Sequence, residues 1–193
     1  MNILHVDSSA LGNHSVSREL GRAVVEKALL VHPGAQVAYR DLAANPLPHW
    51  APAADANDPA VRAGSDVLDE FLAADVVVIG APMYNFSIPS TLKAWIDRVM
   101  VAGKTFRYGA NGPEGLAGGK RVVIVSSRGG IYSEGPMQAL DFQENYLRKV
   151  FAFIGVSDVE IVRAEGVNLS PESKVRAVDG ALEAIRADER LAA

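Results

Sequence analysis

The chain has 193 residues, 49% of them hydrophobic and 22% charged, so a single domain over residues 1–193 with one sizeable core is expected. Its formal charge of −4 comes without the clustered Lys and Arg that nucleic-acid binding requires. It has no cysteine, which excludes disulfides, thiolate nucleophiles, iron–sulfur clusters and Cys-built zinc sites and leaves any redox chemistry to a cofactor.

Five short β-branched runs alternate with segments of helical spacing. The first strand, Ile3 to Val6, leads through a serine-rich loop, Asp7 to Ser17, into a helix over Ser17–Val31. Leu20, Val24, Ala28 and Val31 form one stripe of that helix, which faces the sheet, and His32-Pro33-Gly34 stops it. A second strand at Gln36–Tyr39 is followed by an irregular stretch, 43–58, and a helix over Ala60–Ala73. The third strand, Val76–Ile79, runs through GAPMYNFSIP to a helix over Ser90–Val101. The fourth, Arg121–Val125, ends in SSRGGIY before a helix over Met137–Phe153. The fifth, Val159–Val162, precedes a helix over Glu172–Ala187 with Pro171 in its first turn. Continuous apolar runs in the third and fourth strands suit a parallel sheet covered on both faces, so ligands are expected at the carboxyl edge, near the topological switch point.

The stretches 43–58 and 102–119 interrupt the alternation. The second, with Phe106, Arg107 and Tyr108, is expected to be a functional loop on the ligand edge. The opening MNILHVDSS lacks the basic and long apolar regions of a signal peptide, and no apolar run reaches the roughly 18 to 20 residues that cross a bilayer. A cytoplasmic protein without membrane contact is expected.

Chemistry is expected in the strand-to-helix loops. Serines at the first helix N-terminus offer hydroxyls beside free backbone amides, a geometry that serves a helix cap and a phosphate equally well. The G-x-G-x-x-G fingerprint of dinucleotide folds is absent there, which points to a mononucleotide. Met83, Tyr84, Asn85 and Phe86 supply flat apolar surface and an amide suited to gripping an aromatic ring. Gly129 and Gly130 allow close backbone approach and a φ above zero. Gly103-Lys104-Thr105 lacks the first P-loop glycine, no G-x-S-x-G is present, and His5, His14, His32 and His49 have no metal-ligand spacing, so no metal is expected.

Together the serine loop, APMYNFSIP, TFRYxxNGPEGL, SRGGI and FIG resemble the FMN-dependent NADH-azoreductase family, in that family's order and over nearly the whole chain. The resemblance implies an α/β flavodoxin-like fold, a five-stranded parallel sheet of order 2-1-3-4-5 with helices on both faces. It implies a homodimer with active sites at the subunit interface. It implies that Ser9, Ser15, Val16 and Ser17 hold the FMN phosphate. Met83 to Phe86 and Ser127, Arg128, Gly129 and Gly130 would border the ribityl chain and isoalloxazine. Tyr108 and Phe153 would shape the pocket in which NADH or NADPH delivers hydride and a quinone or azo compound accepts electrons. A flavodoxin-type electron carrier is the alternative reading. The segment around His49 and Trp50 varies in the family, so substrate preference does not transfer.

Overall fold

The computed structural model describes residues 1–52, 55 and 58–192; residues 53, 54, 56 and 57, within the 43–58 stretch, lie outside the described residues. Five parallel strands form the main sheet in the order β2-β1-β3-β6-β7: β1 Asn2–Asp7, β2 Gln36–Asp41, β3 Val76–Pro82, β6 Arg121–Ser127 and β7 Asp158–Ala164. This is the expected order once the two strands of a separate hairpin are set aside. Helices α1 Val16–Val31 and α5 Pro171–Ala187 cover one face, and α2 Pro59–Ala73, α3 Ser90–Val99 and α4 Glu144–Phe153 cover the other.

Strand alternation divides the core between these layers. Leu4, Val6, Val77, Ile79, Val122 and Ile124 pack toward α2–α4, while Ile3, Val78, Val123 and Val125 pack toward α1 and α5. The unbroken apolar runs follow, since every central position meets a helix. Phe71, Trp95 and Phe151, all fully buried, join α2, α3 and α4 with ring-centroid spacings of 5.9 and 6.5 Å. Because β1 pairs with both β2 and β3, the connections diverge there and open a crevice at the carboxyl edge.

Two expectations need correction. The helix over Met137–Phe153 is instead a 3₁₀ turn, Pro136–Leu140, followed by a break and then α4. Asp141 makes the break: its Oδ1 accepts the amides of Gln143 and Glu144 at 3.0 and 3.1 Å, a local cap that apolar spacing does not register. The 102–119 stretch holds an antiparallel hairpin, β4 Phe106–Gly109 with β5 Gly112–Gly115. It joins the end of α3 to the start of β6, so its ends lie at the amino edge of the sheet, opposite the ligand edge where it was expected. Its root is fastened there by Ala117 N donating to Ile154 O at 2.8 Å, and Phe106 packs on Phe153 at 4.9 Å.

Candidate functional site

Four loops meet at the carboxyl edge. The first leaves β1 at Asp7 and ends at Ser15, which caps α1 by accepting the Arg18 amide at 3.3 Å. Ser15 Oγ also lies 3.1 Å from Ser17 Oγ, and both serines are buried. Among the described residues the Val16 and Ser17 amides have no backbone acceptor, as the first amides of any helix must. Ser15 is therefore a cap, and the amides beside it stay open to an anion.

Arg18 fixes this loop from below. Its Nε and Nη2 donate to Ser9 O at 3.3 and 2.9 Å, and its two Nη groups hold Asp41 at 2.6 and 2.7 Å. The Arg18 guanidinium holds the Asp41 carboxyl down at about 2. Tyr39 donates to Asp7 Oδ2 at 3.0 Å, and burial together with that carboxylate pushes its phenol up to about 12.

The second loop follows β3. Tyr84 and Ser87 exchange backbone hydrogen bonds of 2.9 and 3.0 Å around Asn85 and Phe86, whose φ values of +49° and +72° make a primed two-residue turn. Positive φ is strained for a phenylalanine, at a cost of order 1–3 kcal/mol, and such strain concentrates at ligand clamps. The Tyr84 hydroxyl accepts the Ala10 amide at 3.1 Å and lies 3.3 Å from Ser9 Oγ, joining this loop to the first.

The third loop, Ser127 to Gly130, is zipped to the fourth, Glu165 to Leu169. Val167 N donates to Arg128 O, Asn168 N to Gly129 O and Gly166 N to Gly130 O, at 3.1, 3.1 and 3.0 Å. Neither Gly129 nor Gly130 uses the positive φ that glycine allows. Gly129 serves by its missing Cβ, which would sit 2.9 Å from Asn168 Nδ2.

Between the loops lies a cavity of about 170 Å³. The expected residues Ser9, Ser15, Val16, Met83, Tyr84, Ser127 and Gly129 line it. Ser17, which is fully buried, and Asn85, Phe86 and Gly130 are not among its lining. Asn85 lines a neighbouring apolar cavity of about 740 Å³, formed also by Ile88, Pro89, Phe142 and Tyr146 and sharing Tyr84. The larger cavity holds none of the first loop's serines, and its polar lining includes Asn85, Ser87, Ser90 and Lys93.

Three site expectations change. The Arg128 side chain is fully buried and turned away from a ligand: it pairs with Asp141, Glu144 and Glu165 at 2.9, 2.6 and 3.0 Å, and its Nε donates to Ser126 and Gln143. Burial works against the Glu165 carboxylate, yet hydrogen bonds from Ser133 and Tyr132 and the Arg128 charge outweigh it and hold this group below the usual range. Tyr108 and Phe153 do not line the cavity. Phe153 ends α4, whose ten residues carry it about 15 Å from the carboxyl edge, and Tyr108 stands 75% exposed on the hairpin, stacked edge-on against Phe106.

Sequence reading missed His14, Asn168 and Lys174, all of which line the cavity. Asn168 and Lys174 belong to the loop and helix after the fifth strand, where the same edge argument would have found them. No cluster of metal-ligating side chains occurs among the described residues, and no helix of theirs is long and apolar enough to cross a membrane.

A family model described as the flavodoxin-like fold matches residues 1–188. FMN-dependent NADH:quinone oxidoreductase 1 of Xanthomonas axonopodis pv. citri is 56% identical over all of this chain and 99% of its own, and FMN-dependent NADH:quinone oxidoreductase of Sinorhizobium fredii is 58% identical over 92% of each. An azoreductase from Bacillus anthracis str. Sterne matches with TM-score 0.88 at 30% identity over 96% of each chain. The FMN-dependent NADH-azoreductase of Bacillus anthracis str. Ames Ancestor, solved in complex with FMN, matches with TM-score 0.86 at 25% identity over the whole of both. The chain belongs to the flavodoxin-like family that these quinone oxidoreductases and azoreductases share.

Proposed function

We propose that this chain is an FMN-dependent NAD(P)H oxidoreductase that reduces quinones to hydroquinones and cleaves aromatic azo compounds to amines in alternating two-electron half-reactions. The cavity carries the reading: hydroxyls of Ser9 and Ser15 beside open helix amides suit a phosphate, and the strained Asn85–Phe86 turn with the Gly129–Gly130 backbone suits a flat ring close to main chain. When bound, FMN supplies the hydride acceptor and the two-electron donor. Ser9, Ser15 and the Val16 and Ser17 amides hold the phosphate, while Met83 to Phe86, Ser127, Gly129 and Gly130 border the ribityl chain and ring.

Exposed Leu11, Phe86, Ile131 and Phe142 give the carboxyl edge an apolar surface that suits both aromatic substrates and a second copy of the chain. A homodimer reconciles Tyr108 and Phe153 with a role in the pocket, because residues remote from their own cavity then face that of the partner subunit. There Tyr108 presents a phenol hydroxyl and Phe153 an apolar wall that excludes water.

The test is anaerobic mixing of the FMN-loaded protein with NADH. Loss of the visible flavin absorbance, followed by its return on adding a quinone with stoichiometric hydroquinone, is the expected result. Retention of the colour in NADH would leave an electron carrier.

A further inference from the structure

The phosphate end of the cavity has a charge mismatch. A phosphate monoester carries about −1.5 to −2 near neutral pH, while the serines and helix amides facing it contribute neutral donors and the partial charge of one helix end, roughly +0.5. The two arginines nearest these loops are already neutralised: Arg18 is held by Asp41 and Asp7, and Arg128 by three carboxylates. No carboxylate lines the cavity.

Lys174 is what remains. It projects from the first turn of α5, the helix that Ser170 caps and Pro171 opens, and it lines the cavity together with His14 from the first loop. Among the described residues it has no carboxylate within salt-bridge distance, whereas Lys93, on a comparable exposed helix position, pairs with Asp97. The carboxylate of Glu172, two residues away, is engaged with the α5 cap through Ser170 and its own amide. A lysine with no salt-bridge partner among the described residues thus lines a cavity rich in anion donors and free of acids.

We propose that Lys174 supplies the counter-charge for the cofactor phosphate and selects FMN over riboflavin, with His14, which lines the same cavity, an additional donor. This rests on the FMN reading above. It assigns α5 a part in recognition, so the cofactor joins α5 to α1.

The test is titration of the apo-protein with FMN and, separately, with riboflavin, followed by quenching of flavin fluorescence at low and high salt. Wild type is expected to prefer FMN, and K174A to lose about tenfold in FMN affinity, one charge-assisted hydrogen bond, with riboflavin unchanged. K174R should restore most of the loss, and the salt dependence of FMN binding should flatten in K174A. Full FMN preference in K174A overturns the assignment and leaves the cofactor reading intact. Equal binding of FMN and riboflavin by wild type removes the phosphate site, and binding of neither overturns the functional reading together with this assignment. Since position 174 is exposed, circular dichroism of the variants is expected to match wild type.

Discussion

Replacing Arg128 with methionine should destabilise the fold by about 3–5 kcal/mol, the cost of removing one partner from a buried ionic cluster and a large part of the roughly 5–15 kcal/mol that a domain of this kind has in total. Asp141, Glu144 and Glu165 all converge on its guanidinium, and after the substitution only Glu144 keeps a cation, Arg163 at 2.6 Å. The loss has a pH signature. The guanidinium helps to hold Glu165 low, and its removal leaves buried carboxylates facing one another, so the penalty is present at neutral pH and shrinks as acid neutralises them. Urea melts at pH 8 and pH 5 measure it, and a deficit that does not change between them would sink the electrostatic account. Because Glu165 also takes the amides of Tyr132 and Ser133 at 2.9 and 3.0 Å, the same variant should loosen the loop after Gly130 and weaken flavin binding.

The second large effect is expected at Gly115. A Cβ there would fall inside the van der Waals shells of Gly155 N and Ile154 C, and Gly155 has φ of +92° and lies against the Gly115 backbone. Main chain meets main chain, so no side chain can swing aside. Gly115→Ala should therefore lift the hairpin from the end of α4 at a cost of about 1–3 kcal/mol. The four loops around the cavity lie at the other end of the sheet, so FMN affinity should stay near wild type. Quinone turnover should fall at least about tenfold, some 1.4 kcal/mol of barrier, because Phe106, Tyr108 and Phe153 lose their common arrangement. Parallel FMN titrations and turnover assays decide the point. A joint loss of both would mean that the hairpin supports its own chain's cavity.

The contrast between these positions explains what could be read from the sequence. Val77 to Ile79 and Val122 to Val125 announce strands because helices cover both faces, and local spacing records that environment. The serine loop and the MYNF block were legible because their residues are contiguous and follow strands directly. Arg128 was misread because its partners lie 13, 16 and 37 residues downstream. Nothing beside it in sequence separates a cation aimed at a ligand from one enclosed by acids. The α4 boundary failed for a related reason: Asp141 breaks the helix with one side-chain oxygen, while the apolar rhythm from Met137 onward runs past it. The hairpin was misplaced because its glycines and aromatics suggested a binding loop, whereas its position after a helix and before a strand assigned it to the opposite edge. The fourth loop of the cavity was missed outright, because Asn168 and Lys174 carry no motif and only their place after the fifth strand marks them.

The Tyr84 side chain has one more implication. Its hydroxyl is anchored on Ala10 and Ser9 while its backbone forms the turn at Asn85 and Phe86, so the anion end and the ring end of the cavity share a strut. Occupancy of either end then biases the other, and linkage makes that influence reciprocal and equal in free energy. Inorganic phosphate should tighten riboflavin by the same factor by which riboflavin tightens phosphate, and that factor should approach one in Tyr84→Phe. The two halves of the cofactor would be cooperative ligands joined by a tether.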